Sequence, residues 1–358
     1  MQQTTHSIRF KSPAICRRSR RHYFFTRLTA HLIVLVIPAL ALGAAAPLRV
    51  KIGTASISSS TLSLWIAQEQ GIFNKHGVET QAILVRGGPM LVSSLVAGDI
   101  DFAFTTGVSI LGATTQGVAV KMLSSISNRV SWKLVAAPQI KRAHHLRGKR
   151  FGVQSIVGST WMNSILALEQ LGLEPKRDNI SFLVIGDPVT MAHALETGRI
   201  DAAVLDPILS RGLISKRFSL LLDLLHAKVF FPGLGLGVTR PYLDQHARTV
   251  EKLVTALTES LAFIHRPENK TLVLKSMMKN LRMNDPAAAE EGYDDQLLTL
   301  NRKPYPSLEG LRNAQRVMTL QNPKIAALKI EELIDSRFVR KLDESGFIDR
   351  LYNTYPSW

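Results

Sequence analysis

Two stretches a hundred residues apart carry nearly the same pattern, Leu95-x-x-Gly98-x-Ile100-Asp101-x-Ala103 and Leu195-x-x-Gly198-x-Ile200-Asp201-x-Ala203. A second echo precedes each copy: Gly53-x-x-Ser56-Ile57-x-x-Ser60-Thr61 against Gly152-x-x-Ser155-Ile156-x-x-Ser159-Thr160. The matches keep their order at offsets of 99 and 100, a period too long for a solenoid unit and the right size for a lobe. Such a chain reads as two similar α/β lobes, each with a hydroxyl-rich loop at the same place. Lobes of this kind face each other across a ligand cleft, so function is sought in the paired loops.

The periodicity supports that architecture. Arg49 to Gly53 alternates as a strand does, and the Ser/Thr-rich loop after it leads into a helical pattern closed by Gly71. Val78 to Val85 is a second predicted strand, Arg86-Gly87-Gly88-Pro89 a turn, and Met90 to Ala97 a helix stopped by Gly98. Asp101 to Thr105 is a third strand and Thr106 to Gln116 a helix, with further strands at Val118 to Ile126 and Trp132 to Ala137. The second lobe repeats the scheme with strands Lys149 to Val153, Ile180 to Ile185 and Asp201 to Leu205 around helices at Ser159 to Leu171 and Met191 to Thr197. Strands alternating with helices imply a mixed, mostly parallel sheet in each lobe with flanking helices. Leu234 to Thr239 is expected to return to the first lobe, and from Tyr242 onward the pattern is mostly amphipathic helix. The expected division is 44–137 plus 235–358 for lobe 1 and 138–234 for lobe 2, with two crossings near Ala137 to Ile140 and Phe231 to Gly235.

The net charge of +16 suggests nucleic acid or membrane until it is divided along the chain. Residues 1–46 hold seven of the 44 basic residues and no acid, which leaves +9 scattered among the 28 acids of the remainder. No basic run with interleaved aromatics points to nucleic acid. The N-terminal segment instead has the order of an export signal, basic to Arg27 and apolar from Leu28 to Leu42, followed by small residues. A cleavable signal over 1–43 is expected, with Ala41-Leu42-Gly43 at the cut and a mature start near Ala44. Ser19-Arg20-Arg21-His22-Tyr23-Phe24 resembles a twin-arginine motif. The rival, an uncleaved anchor, has a short apolar run interrupted by His31 and Pro38. Cys16, the only cysteine, precedes that run, so the mature chain has no thiol for a disulfide, metal or nucleophile.

The hydroxyl loops, Ser56 to Thr61 and Ser155 to Thr160, sit between a strand end and a helix start, where open α/β sheets bind ligands. Free backbone N–H groups, the helix dipole and neutral hydroxyls favour an anion there. Plain N-capping by Ser60, Thr61, Ser159 and Thr160 is the competing account of either loop alone. Trp65 and Trp161 lie near those helix starts, placed either to stack on an organic ligand or to pack inside. Thr105-Thr106-Gly107 is a third polar loop at the same sheet edge, with Asp187-Pro188 and Asp206-Pro207 as its counterparts. The Asp-Pro pairs are equally suited to starting helices. Asp101 and Asp201 are read as turn formers rather than catalytic carboxylates. Gly233-x-Gly235-x-Gly237 lacks dinucleotide spacing, and no Walker sequence, His-x-x-x-His or Gly-x-Ser-x-Gly elbow occurs.

With these residues in view, the chain resembles the periplasmic solute-binding proteins of the nitrate, sulfonate and taurine ABC transporter family, which includes thiamine-pyrimidine binders. The matching features run in order: Ile66-Ala67-x-Glu69-x-Gly71-Ile72-Phe73 with Gly77-Val78, Leu95 to Asp101, Leu146-x-Gly148-Lys149-Arg150-x-Gly152-Val153, Leu171-Gly172-Leu173, and Ala194 to Ala203. The resemblance implies a two-lobed type II periplasmic-binding-protein fold that holds one small solute and presents it to a membrane permease. It implies ligand contacts from Ser58, Ser59, Ser60, Thr61, Gly87, Gly88, Thr105, Thr106, Ser155, Gly158, Ser159 and Thr160, and from the region of Asp187 and Asp206. No cofactor and no nucleic-acid partner are expected, and a monomer is. Relatives that are enzymes, a pyrimidine synthase and porphobilinogen deaminase, rely on cysteines that the mature chain lacks. An effector domain of a transcription regulator would carry DNA-binding helices where an export signal stands. A secreted or anchored sensor domain is the remaining alternative. Hydroxyl loops suit an oxyanion, while Trp65, Trp161, Phe230 and Phe231 suit an aromatic or heterocyclic solute.

Overall fold

A computed structural model describes residues 48–227 and 229–353. The expected leader, its cleavage site and Cys16 lie outside these residues. The first part of the chain forms β1 (Leu48–Thr54), α1 (Leu62–Glu69), α2 (Ile72–Lys75), β2 (Val78–Leu84), α3 (Gly88–Ala97), β3 (Phe102–Thr106), α4 (Gly107–Thr114) and β4 (Val120–Met122). The middle forms β5 (Lys133–Ala136), β6 (Arg150–Val153), α5 (Ser159–Gln170), β7 (Ser181–Val184), α6 (Pro188–Glu196), β8 (Ala202–Leu205), α7 (Pro207–Ser215) and β9 (Ser219–Asp223). Then follow β10 (Leu234–Thr239), α8 (Arg240–Gln245), α9 (Ala247–His265), α10 (Lys270–Leu281), α11 (Pro286–Thr299), α12 (Leu308–Thr319), α13 (Arg337–Glu344) and α14 (Phe347–Asn353).

Two five-stranded sheets result, ordered β2-β1-β3-β10-β4 and β7-β6-β8-β5-β9. Each has three parallel strands, and the strand that crosses from the other lobe runs antiparallel to both its neighbours, β10 in the first sheet and β5 in the second. This is the two-lobed α/β periplasmic-binding-protein architecture, with two crossings between sheets. One expectation is corrected. Lys133–Ala136, assigned to the end of lobe 1, pairs with β8 and β9 of the second sheet, so the chain crosses ahead of β5 rather than at Ala137 to Ile140. Its apolar composition marks a buried strand but not the sheet that buries it.

The repeated phrases are explained by contacts. Gly98 and Gly198 end helices in the left-handed region, with φ of 81° and 70°. Asp101 Oδ2 accepts the Lys51 N–H at 2.7 Å, and Asp201 Oδ2 accepts the Arg150 N–H at 2.9 Å. Each aspartate thereby ties the entry of β3 or β8 to the parallel strand beside it, β1 or β6, at the sheet end opposite the hydroxyl loops. A Cβ on Gly53 would lie 2.4 Å from Ile100 Cδ1, and one on Gly152 2.4 Å from Ile200 Cδ1. The repeated glycine is the hole into which the repeated isoleucine fits.

The helices follow from amphipathic spacing. α9 buries Val250, Leu253, Val254, Leu257, Leu261 and Ile264, one face at 3.6-residue periodicity, against the first sheet. The C-terminal segment, expected to belong wholly to lobe 1, spans both lobes. Leu311, Ala314, Val317 and Met318 of α12 share a core with Val108 and Leu111 of α4 and with Phe151 and Trp161 of lobe 2.

Candidate functional site

The two chain crossings run side by side between the lobes. Arg129 and Phe230 form an antiparallel bridge, and the Phe231 N–H donates to the Asn128 carbonyl at 3.1 Å. In front of this ribbon, residues at or just after the ends of β1, β3 and β6 meet around one space. They enclose a cavity of about 80 Å³ whose walls come from both lobes, from the ribbon and from α11.

Of the expected residues, Ser58, Ser60, Gly88, Thr105, Thr106, Ser155, Ser159 and Thr160 line that cavity. Thr106 Oγ1 and Ser159 Oγ are 2.6 Å apart, joining the third polar loop of lobe 1 to the helix start of lobe 2. Thr160 Oγ1 accepts the Gln154 N–H at 2.8 Å, and Gln154 Nε2 donates across the cleft to the Ala55 carbonyl at 2.9 Å. α5 therefore opens onto the cavity with its positive dipole end, and Gly158 at its N-cap packs against Ser155, whose hydroxyl would have to turn away from a Cβ there.

Other expected residues stand elsewhere. Trp161 is 1% exposed in the lobe 2 core, edge-on to Phe182, because the helix turn that puts Ser159 and Thr160 at the cleft turns the next side chain inward. Trp65 packs on the lobe 1 core. Ser59 is buried and accepts a bond from Gln296 Nε2 at 3.4 Å, and Thr61 Oγ1 is 3.5 Å from the Ser56 carbonyl. Gly87 caps α3 at φ 91°, one residue before the cavity-lining Gly88. Asp187 and Asp206 are N-caps of α6 and α7, each with proline at the helix start. Asp206 Oδ1 accepts the Leu209 N–H at 3.1 Å, and burial pushes its carboxyl up to about 6. Asp187 also pairs with Arg86 of lobe 1 at 3.3 Å, so it bridges the cleft rim.

Sequence reading missed several lining groups. Arg129, an exposed residue, is the one charged residue among the described cavity-lining residues, and among the described residues no ion pair or side-chain hydrogen bond holds it. Its signal was a lone cation in the hydroxyl-rich run Ser124 to Ser131 between two apolar strands. Ser109 and Asn163 also line the cavity, and Ser109 Oγ and Asn163 Oδ1 are buried with no partner in the protein. A buried polar atom without a bond costs about 1–3 kcal/mol, which a polar solute between them would offset. Behind α11, Lys133 lies 3.7 Å from Asp223 and 3.3 Å from Asp295. Burial holds the Asp295 carboxyl above its ordinary range, against the pull of Lys133. The arrangement offers hydrogen-bond donors and the ends of two helices to a small anion, with Arg129, an exposed residue of the ribbon, as the charged residue at its wall and no acidic residue lining the cavity.

Comparison with known proteins gives a consistent result. The NMT1-like family model matches residues 43–278. A Brucella abortus (strain 2308) protein assigned no more than a binding role is 26% identical over 273 residues, covering 75% of this chain and 82% of the relative. The alkanesulfonate-binding protein SsuA of Xanthomonas axonopodis pv. citri, solved bound to MOPS, superposes with a TM-score of 0.67 at 18% identity, over 82% of this chain and 100% of that one. The periplasmic nitrate-binding protein NrtA of Synechocystis PCC 6803 gives 0.66 at 14% identity, over 83% and 88%. These are binding proteins, and at such identities the structures share the fold.

Proposed function

This chain belongs to the NMT1-like family, and from that premise we propose that it is the extracytoplasmic solute-binding component of an ABC importer, which captures a small anion between its lobes and delivers it to a membrane permease. The observation that carries the reading is the cavity between the paired hydroxyl loops, where Arg129 is the charged lining residue and unpartnered polar atoms converge. Positive potential without a carboxylate favours a negatively charged solute. The sulfonate and nitrate binders named among the structural neighbours support the same class. The expected leader over residues 1–43 supports export, and among the described residues no helix is long and apolar enough to cross a membrane.

The mechanism is closure rather than chemistry. The ribbon at Arg129 and Phe230 serves as hinge, and closure brings Thr106 to Ser159, Gln154 to Ala55 and Arg86 to Asp187. Direct latches are few, and an exposed ion pair such as Arg86–Asp187 contributes only about 0–1 kcal/mol. A solute that touches both lobes therefore decides the open–closed balance, and the permease reads the closed form.

Thermal-shift and calorimetric titration of the mature protein with sulfonates, nitrate, pyrimidines and aromatic carboxylates tests this, because selective binding raises stability by mass action. An anion is expected to bind and to compact the protein in small-angle scattering. Arg129→Gln should weaken that anion about 10- to 150-fold, the range of a charged hydrogen bond. Binding of an uncharged solute that is indifferent to Arg129→Gln would overturn the reading.

A further inference from the structure

Helix α11 belongs to lobe 1 by its core and meets lobe 2 along its other side. Tyr293 is buried in the lobe 1 core and its hydroxyl donates to the Ile264 carbonyl of α9 at 3.0 Å. Facing lobe 2, Gly292 receives Ile208 of α7, which packs on that same core; a Cβ on the glycine would lie 2.6 Å from Ile208 Cγ1. One turn on, Gln296 and Thr299 line the cavity. α11 is therefore at once a wall of the solute site and one side of a seam between the lobes.

The charges in that seam do not balance. Lys133 Nζ lies 3.3 Å from Asp295, and the two side chains are only 13% and 16% exposed. The lysine is already engaged: the register of β5 on β9 sets it opposite Asp223, 3.7 Å away. That pair lies within one sheet and survives any opening of the lobes, whereas Asp295 arrives with α11. Closure thus draws a second carboxylate out of water toward a cation that is already shared, where like charges repel and desolvation opposes ionisation. No other cation comes to its aid among the described residues. Arg211 of α7 is paired with Glu291, Lys270 of α10 with Glu290, and Arg129 of the ribbon is exposed. Asp294 on the same helix and Asp206 at the start of α7 are further acids, and the loop Ser58 to Thr61 brings only hydroxyls. Burial accordingly holds the Asp295 carboxyl above its ordinary range in spite of Lys133.

We propose that this seam is a proton-linked latch on the solute site: closing lobe 2 onto α11 takes one proton from solvent onto Asp295, so that acid favours the closed, solute-holding form. This rests on the reading of the cavity as a solute site that works by closure. The closed form binds more protons than the open one, so closure strengthens as pH falls and is opposed as pH rises. By reciprocity, solute binding draws the proton in. Because Gln296 and Thr299 follow Asp295 on one helix, the group that takes the proton also seats two residues of the cavity wall. Capture is then tightest in acid and release easiest toward neutral pH.

The test uses nitrate and methanesulfonate, strong-acid anions whose charge is constant between pH 5 and 8, titrated calorimetrically into the mature protein carrying Asp206→Asn so that Asp206 does not titrate. Affinity should rise from pH 7.5 to pH 5, by no more than about tenfold per pH unit, the limit for one proton. Adding Asp295→Asn should give at pH 7.5 the affinity that its parent reaches at pH 5, with no further change on acidification. Asp223→Asn, which leaves Lys133 to Asp295 alone, should shrink the rise and serves if Asp295→Asn fails to fold. Small-angle scattering without solute reads the same latch directly: acid should compact the parent and leave the Asp295→Asn protein unchanged. An anion that binds equally at both pH values, or a rise that survives Asp295→Asn, overturns the latch and leaves the solute site standing. Binding of neither anion, with acid compaction present and abolished by Asp295→Asn, overturns the anion reading and leaves the latch. Neither binding nor compaction overturns both.

Discussion

The contact between Gly152 and Ile200 can be tested by a double-mutant cycle. In Gly152→Ala the new methyl would lie 2.4 Å from Ile200 Cδ1, 3.5 Å from Ile185 Cγ1 and 3.6 Å from Ile200 Cγ2. Ordinary carbon contacts are about 3.5–4.0 Å, so one atom is more than an ångström too close and the other two are comfortable. Overpacking of this kind costs about 1–3 kcal/mol, offset by about 0.4–1 kcal/mol from the stiffer unfolded chain. Ile200→Val removes the offending Cδ1 and by itself costs about 0.5–1.5 kcal/mol. In the double variant the alanine methyl enters the space that Cδ1 left, so stability should return to within about 0.5 kcal/mol of wild type, a favourable coupling of about 2 kcal/mol at the middle of these ranges. Urea unfolding followed by circular dichroism measures it, provided the slope is unchanged across the four proteins. Additive effects would refute the packing argument. The other lobe supplies a contrast: a Cβ on Gly53 meets Leu91 Cδ1 at 2.5 Å as well as Ile100 Cδ1, so Ile100→Val should rescue Gly53→Ala only in part.

Three further outcomes are expected. The Asp206 carboxyl has a folded pKa above its unfolded one, so the folded state binds more protons and stability falls as pH rises from about 4 to about 6. Asp206→Asn, which retains a good N-cap, should raise stability at pH 7.5 by up to about 3 kcal/mol and change it little at pH 4, as read by urea titration at both values. Lys133→Met leaves Asp223 and Asp295 partly buried without their cation; the loss should fall toward the lower end of about 3–5 kcal/mol at pH 7 and shrink at lower pH as the Asp295 carboxyl, already raised by burial, takes up its proton. Arg86→Ala removes the rim pair with Asp187 and should weaken solute binding less than about fivefold, an effect that fades between 50 and 500 mM salt in titrations.

The fold was legible because its signals are local. A glycine after a helix, an aspartate before a strand and a hydroxyl loop between strand and helix each do their work within a few residues, and repeating them at a fixed offset discloses two lobes. The allegiance of β5 was not legible, because a short apolar strand reads the same in either sheet and its hydrogen-bond partners lie about seventy and ninety residues along the chain. Half of the expected site residues line the cavity because strand ends in a parallel sheet share one edge. Both tryptophans turn inward because the buried face of a helix is set by what packs on it.

The sequence by itself therefore determined the duplication, the α/β class, the scaffold reading of Gly98, Ile100 and Asp101 with their counterparts, and the two loops that meet. Only the tertiary structure decided that Arg129, isolated in a stretch of hydroxyls, is the charge at the cavity, and that Ser109 stands between a polar space and an apolar one. Both facts depend on residues of the two lobes meeting beside a ribbon built from two distant segments, and such a juxtaposition leaves no mark in the order of neighbouring residues.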